Sequence, residues 1–99
     1  MNVRFADRSL RSIDESDSDS ANAIGRDLVK AFRKRMQLIR AAPDERVLYA
    51  FKSLHFERLK GSRADQYSMR LNDQWRLIVE LEDGSEEKTV VIVGIEDYH

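Results

Sequence analysis

The sequence closes on three side chains whose types suit acid–base chemistry. The C-terminal cluster is Glu96-Asp97-Tyr98-His99, in which Asp97, Tyr98 and His99 supply a carboxylate, a phenol and an imidazole in consecutive positions. Such a group can provide a general base, a hydrogen-bond donor and a proton shuttle. Terminal residues are also commonly frayed, and an aromatic residue at the end of a strand is more often packed than catalytic. The spacing alone therefore does not establish a catalytic site.

Two groups of cations could bind an anion. One is the basic loop Leu59-Lys60-Gly61-Ser62-Arg63, and the other is the pair Arg70 and Arg76, which flank Asn72-Asp73. The whole chain has a formal net charge of -1, but residues 26–76 contain 13 Lys and Arg against 6 Asp and Glu, a local net charge of +7. A basic middle is compatible with phosphate binding, although most surface cations simply keep a protein solvated.

The composition predicts a single globular domain over residues 1–99. Hydrophobic residues make up 41% and charged residues 35%, and the chain has no Cys. The lack of Cys excludes disulfides and thiolate metal ligands and favours a reducing compartment. His55 and His99 have no ligand spacing, so we predict no metal and no other cofactor. No stretch resembles a signal peptide or a membrane span, which favours a soluble, cytoplasmic protein.

The start of the chain predicts a strand followed by a short helix. Apolar and polar residues alternate over Asn2–Phe5, as in a half-buried strand. Asp7 can cap a brief helix through Ser12. The polar, turn-rich residues 13–20 predict a loop or, as an alternative, the acidic start of a helix.

A longer helix is predicted over about residues 21–42. Pro43 ends it, and a second short helix can follow through about Ala50. Gly25 lies inside the pattern, where it disfavours a helix by about 1 kcal/mol relative to Ala, so the helix can also begin after it. The apolar positions that recur at helical spacing are Ile24, Leu28, Phe32, Met36 and Ile39.

The second half of the chain changes to the period of strands. Residues 66–71 and 75–81 alternate around the turn pair Asn72-Asp73. Asp83-Gly84 is a second turn, and residues 89–95 are largely β-branched, as in a strand buried on both faces. A strand, then helices, then a three-strand meander indicates the α+β class.

The run Arg70-Leu71-Asn72-Asp73-Gln74-Trp75-Arg76, preceded by Leu59-Lys60-Gly61, resembles the signature of the HigB toxins, or plasmid-maintenance killer proteins, of the RelE/ParE superfamily. In that family a Leu-Lys-Gly loop leads into a Ser-Ile-Arg-Ile-Asn-Asp-Gln-Trp-Arg hairpin. The family's chains often close on Asp-Tyr-His, which Asp97-Tyr98-His99 matches. The likeness runs from about residue 54 to residue 99.

This resemblance implies a RelE-like fold, in which two helices pack on one face of a curved, mostly antiparallel sheet. That sheet would combine the short N-terminal strand with the C-terminal meander. The function implied is the toxin of a type II toxin–antitoxin system, a ribosome-dependent mRNA endoribonuclease that inhibits translation. The partners implied are a HigA-like helix-turn-helix antitoxin, the ribosome and mRNA, with operator DNA reached through the antitoxin complex and no membrane.

The same resemblance implies a metal-free attack of the ribose 2′-OH on the adjacent phosphate. Asp97 and His99 would transfer protons, Tyr98 would stack on or hydrogen-bond to the RNA, and cations would stabilise the pentavalent phosphate. The residues implied as catalytic are Glu57, Lys60, Arg70, Arg76, Asp97, Tyr98 and His99. The residues implied as RNA-binding are Lys60, Arg63, Arg70 and Arg76.

The identity of the general base stays open at this point. Some members of the family have a histidine at the position of Glu57, whereas the histidine of this chain is at position 55. The base is therefore Glu57, His55 or His99. Two other functions also suit the fold: a ParE-like DNA gyrase poison, and a catalytically inactive antitoxin-binding module. Retention of the terminal Asp-Tyr-His favours the ribonuclease, since a pure binding protein has no use for it.

Overall fold

The computed structural model describes residues 1–15 and 25–97. In these residues the helices are α1 (Arg8–Glu15), α2 (Arg26–Ala41) and α3 (Glu45–Ala50), and the strands are β1 (Asn2–Phe5), β2 (Glu57–Arg58), β3 (Gln66–Arg70), β4 (Trp75–Glu82) and β5 (Thr89–Asp97). Short 3-10 helices, Lys52–Leu54 and Gly61–Arg63, flank β2. None of the described helices is long and apolar enough to cross a membrane. The α+β class is confirmed.

The strands form one sheet in the order β1-β5-β4-β3-β2. Neighbouring strands are antiparallel except β1 and β5, which run parallel from Asn2 opposite Thr89 to Phe5 opposite Ile92. The predicted N-terminal strand and three-strand meander are both present. The edge strand β2 was not predicted, because a strand of two residues is too short to leave a periodic pattern in the sequence.

The helices pack on one face of the sheet and bury a single apolar core. Helix α2 contributes the predicted stripe from Leu28 to Ile39, joined by Val29, while the predicted Ile24 lies outside the described residues. The sheet contributes the odd-numbered positions of β3 and β4 and two positions of β5. The fully buried members from the sheet are Met69, Leu77, Val79, Val90 and Ile92.

The first helix is longer than the sequence suggested. The loop predicted at residues 13–20 is wrong for residues 13–15, which form the last turn of α1. Ile13 extends the helix because its side chain is buried in the core and its carbonyl accepts a 2.9 Å hydrogen bond from Nη2 of Arg33. Residues 16–24, with the rest of that loop and the first part of the predicted second helix, lie outside the described residues. Helix α2 begins at Arg26, directly after Gly25.

Asp7 caps α1, as the sequence predicts. Its Oδ1 accepts hydrogen bonds from the hydroxyl and the backbone nitrogen of Ser9, at 2.6 and 2.8 Å. These bonds hold the pKa of Asp7 below its ordinary value of 3.8. We expect Asp7→Ala to lower the free energy of unfolding by about 1 kcal/mol at neutral pH, and Asp7→Asn to lower it less.

The contribution of Asp7 should also depend on pH. A carboxylate whose pKa is lowered by folding stabilises the folded state above its unfolded pKa, and this stabilisation disappears as the pH falls through the folded pKa. Urea denaturation of the wild type and Asp7→Ala at neutral and strongly acidic pH measures the difference. A difference that stays constant over this range would contradict a role for the charge.

Candidate active site

The face of the sheet that is turned away from the helices displays a row of polar side chains. Directly opposed residues on neighbouring strands point to the same face. The register pairs Arg70 with Arg76, and Arg76 with Glu96. It also pairs Glu57 on the edge strand with Ser68 on β3. This open face therefore collects polar groups from four strands, β2 to β5.

A β-bulge in β5 decides which way Glu96 points. The ladder with β4 is regular up to Ile92 and resumes at Gly94, which leaves Val93 as an extra residue. Side chains alternate between faces, so an unbroken strand would turn Glu96 to the core face together with the buried Ile92. The extra residue shifts this alternation by one position. As a result, Glu96 lies on the open face, opposite Arg76.

A pocket of about 130 Å³ lies on the open face. Its charged lining residues are Glu57, Arg63, Arg76, Glu96 and Asp97. Arg76 lines this pocket, and its Nε and Nη1 are inaccessible to solvent, so the guanidinium is largely embedded in the sheet surface. A pocket with guanidinium groups beside carboxylates can hold an anionic oxygen and can also accept or donate a proton.

Arg63 reaches the pocket from the short helix Gly61–Arg63. Its Nη1 and Nη2 donate to Oε1 and Oε2 of Glu96 at 3.0 and 2.6 Å, and its Nε donates to Oε1 of Gln66 at 2.9 Å. The hydrogen bond to Glu96 raises the pKa of the Arg63 guanidinium above its ordinary value. Gly61 begins this helix with a φ of +66°, a conformation that glycine adopts without steric cost. The glycine of the Leu-Lys-Gly loop therefore permits the backbone turn that precedes Arg63.

The hairpin turn between β3 and β4 is tied to the end of β5. Oδ1 of Asn72 accepts hydrogen bonds from the backbone nitrogens of Gln74 and Trp75, at 2.9 and 2.8 Å, which closes the predicted turn. Nε2 of Gln74 then donates to Oδ2 of Asp97 at 3.3 Å. The turn residues thus help to hold the Asp97 carboxylate at the pocket.

Arg70 lies at the rim of the pocket, beside this turn. Its Nε donates to the carbonyl of Asn72 at 3.2 Å, and its guanidinium forms an ion pair with Asp73. The carbonyl of Arg70 accepts a 2.8 Å bond from Nε of Arg35 in α2. Burial, and then the charge of Arg70, lower the pKa of Arg35. Arg70 therefore neighbours Arg76 on the open face without lining the pocket.

Four of the predicted site residues line the pocket, namely Glu57, Arg63, Arg76 and Asp97. Lys60 is exposed in the loop ahead of the Gly61–Arg63 helix and does not line the pocket. His55 is exposed, has a φ of +47° and is not a lining residue either. Tyr98 and His99 lie outside the described residues. Within residues 1–15 and 25–97, no group of three His, Asp or Glu side chains is arranged to bind a metal ion.

The predicted site residues did not include Gln66 or Ser68, nor Glu96, although Glu96 belongs to the C-terminal cluster that the sequence indicated. Glu96 and Ser68 line the pocket directly, and Gln66 holds Arg63. A signal was present in β3, where polar residues at even positions alternate with apolar residues at odd positions. Such alternation indicates a strand with one polar face, and that face is the open face of the sheet.

Comparison with known families gives a match over nearly the whole chain. Residues 3–99 match the HigB-like toxin family, described as the RelE-like toxin of the type II toxin-antitoxin system HigB. No curated protein sequence matches this chain.

Solved structures of toxins share the fold. A YoeB/ParE toxin from Agrobacterium tumefaciens is similar with a TM-score of 0.63 and 13% identity, covering 100% of both chains. A YoeB-YefM complex from Staphylococcus aureus is similar with a TM-score of 0.62 and 18% identity. A YoeB dimer from the same organism is similar with a TM-score of 0.53 and 17% identity. Each of these two matches covers 100% of this chain and 97% of the other chain. These identities are low, so the likeness concerns the fold, and it confirms the expected RelE-like architecture. The family match over residues 3–99 shows that the chain belongs to the HigB-like toxins, RelE-like toxins of type II toxin-antitoxin systems.

Proposed function

We propose that this toxin is an endoribonuclease that cuts mRNA on the ribosome and thereby inhibits translation. The observation that supports this most directly is the pocket on the open face, where the guanidinium of Arg76 forms a wall beside the carboxylates of Glu57 and Asp97. A cation for the phosphate oxygens and nearby groups for proton transfer are what cleavage by a ribose 2′-OH requires.

The proposed reaction needs no metal. A base removes the proton of the 2′-OH, the 2′-oxygen attacks the adjacent phosphorus, and the bond to the 5′-oxygen breaks as that oxygen gains a proton. The products are a 2′,3′-cyclic phosphate and a 5′-hydroxyl. Glu57 is the base that we favour among the three candidates, because it lines the pocket and His55 does not. We assign His99 as the acid, with Asp97 beside it in sequence and Tyr98 contacting the RNA.

The cations divide into two groups in this proposal. Arg76 and Arg63 line the pocket and would contact the scissile phosphate. Lys60, exposed in the loop, and Arg70, at the rim, would contact neighbouring phosphates of the strand. The cytoplasm is the matching compartment, since ribosomes and mRNA are there.

We further propose that a HigA-like helix-turn-helix antitoxin neutralises this toxin. The support is the family match and the fold shared with a toxin that was solved in a YoeB-YefM toxin-antitoxin complex from Staphylococcus aureus. Contact with operator DNA would be made through the antitoxin.

Induced expression in bacterial cells tests the nuclease. We expect growth arrest together with new 5′ ends on translated mRNA, mapped by primer extension, and no cleavage of the same mRNA without ribosomes. His99→Ala and Glu57→Gln should each reduce both effects strongly, because each removes a proton-transfer group.

Two results would favour the other functions. Inhibition of DNA supercoiling without mRNA cleavage would indicate a ParE-like gyrase poison. Equal growth arrest by the wild type and by His99→Ala would indicate a toxin that acts without catalysis.

A further inference from the structure

The guanidinium of Arg63 is already bound to an anion that the protein itself supplies. Both oxygens of Glu96 accept hydrogen bonds from it, at 3.0 and 2.6 Å. A two-point contact of this kind is also how an arginine binds the oxygens of a phosphate. Glu96 therefore occupies the part of Arg63 that a phosphodiester would use.

Glu96 is not the only group that holds Arg63 in position. Its Nε donates to Oε1 of Gln66 at 2.9 Å, and Nε2 of Gln66 donates to Oε2 of Glu80 at 3.2 Å. This chain of hydrogen bonds anchors the guanidinium to β3 and β4 from the side opposite Glu96. Loss of the Glu96 charge should consequently leave Arg63 at the pocket with its outer edge available.

The charges of the pocket lining also oppose a phosphate. Two cations, Arg63 and Arg76, face three carboxylates, those of Glu57, Glu96 and Asp97, so the lining has a formal net charge of -1. Glu96 is also the direct cross-strand neighbour of Arg76. A carboxylate beside both guanidiniums weakens the attraction of both for an incoming anion.

We propose that Glu96 competes with the phosphate of the RNA for Arg63, so that the pocket binds its substrate by exchanging one anion for the other. This inference rests on the proposed function. Free RNA gains little from such an exchange, because a bond to Glu96 is lost for each bond to phosphate. An mRNA that the ribosome already positions presents its phosphate at a high effective concentration, which favours the exchange. Glu96 thus limits binding of RNA outside the ribosome.

The test compares Glu96→Gln with a matched control, Glu82→Gln. Glu82 also forms an ion pair with an arginine, Arg4, at 2.7 Å, and its side chain is 48% exposed against 47% for Glu96. Both substitutions change the net charge by the same amount, but Glu82 does not line the pocket. The probe is a fluorescent 12-nucleotide RNA with 2′-O-methyl groups, which cannot be cleaved by 2′-OH attack.

Fluorescence anisotropy at several salt concentrations should separate the two variants. We expect Glu96→Gln to bind this RNA about three- to fivefold more tightly than the wild type, the range of a partly exposed ion pair. For Glu96→Gln, the slope of the logarithm of the affinity against the logarithm of the salt concentration should be steeper by about 0.7. This corresponds to one additional phosphate contact with a single strand. Glu82→Gln should stay within about twofold of the wild type.

The proposed competition is wrong if Glu96→Gln binds the RNA no more tightly than Glu82→Gln does. It is also wrong if neither variant binds the RNA at all. Cleavage of ribosome-bound mRNA by the wild type is measured in parallel and tests the nuclease separately. If Glu96→Gln binds more tightly while the wild type cuts no mRNA, the competition stands and the proposed reaction is wrong. If the wild type cuts mRNA while Glu96→Gln gains no affinity, the reaction stands and Glu96 has a different role.

Discussion

Arg76→Ala is expected to slow cleavage of ribosome-bound mRNA by about 100- to 1,000-fold, the usual loss when one preorganised group that stabilises transition-state charge is removed. The guanidinium of Arg76 forms part of the pocket wall, with Nε and Nη1 shielded from solvent. The charge of a partly buried cation at the pocket is screened less by water than that of an exposed cation, so it should act more strongly on developing negative charge. Single-turnover cleavage of a defined mRNA on purified ribosomes gives the rate.

Two further variants make this result specific. Arg4→Ala removes the same charge from an ion pair outside the pocket and should leave the rate within about twofold. Arg76→Lys keeps the charge but not the planar fork of donors, so it should recover a part of the lost rate. Circular dichroism must show that Arg76→Ala is folded. Equal rates for Arg76→Ala and Arg4→Ala would remove Arg76 from the proposed site.

Phe32→Ala is expected to lower the free energy of unfolding by about 3–5 kcal/mol. Phe32 lies in the middle of α2, has no exposed surface and belongs to the core between the helices and the sheet. Domains have only about 5–15 kcal/mol of stability in total. The substitution should therefore lower the amount of folded toxin in cells, and toxicity with it, although Phe32 does not line the pocket. Urea denaturation followed by circular dichroism measures the loss.

Phe51→Ala is the matched control, since it makes the same chemical change at a side chain that is 49% exposed. It should cost about 0.5 kcal/mol or less, as surface substitutions usually do. Equal losses for the two variants would show that Phe32 is not a core residue.

The fold was predictable where the periodic pattern is long. The stripe of α2 from Leu28 to Ile39, the strands around Asn72-Asp73 and the β-branched residues of β5 all follow from the spacing of apolar residues. The pattern failed where elements are short or polar. The edge strand Glu57–Arg58 has two residues and hence no period, and the end of α1 is acidic, so it resembled a loop.

The site was predictable in part, mainly through the family resemblance. The resemblance predicted Arg76, Asp97 and Glu57 as site residues. These three residues line the same pocket although up to 40 positions separate them in sequence. The role of Glu96 depends on the bulge at Val93, since regular alternation would turn this carboxylate towards the core. The sequence does contain one mark of this bulge, Gly94 directly after Val93, since an isolated glycine inside a strand often indicates a bulge.

The position of β5 between β1 and β4 bears on how a newly made toxin matures. During synthesis the residues up to Glu82 leave the ribosome first, and at that stage β1 has no strand to pair with and Arg76 has no Glu96 opposite it. The pocket wall is completed when Thr89–Asp97 emerges and inserts between two strands that were translated earlier. A chain that stops before Thr89 consequently lacks both the partner strand of β1 and two of the carboxylates that line the pocket.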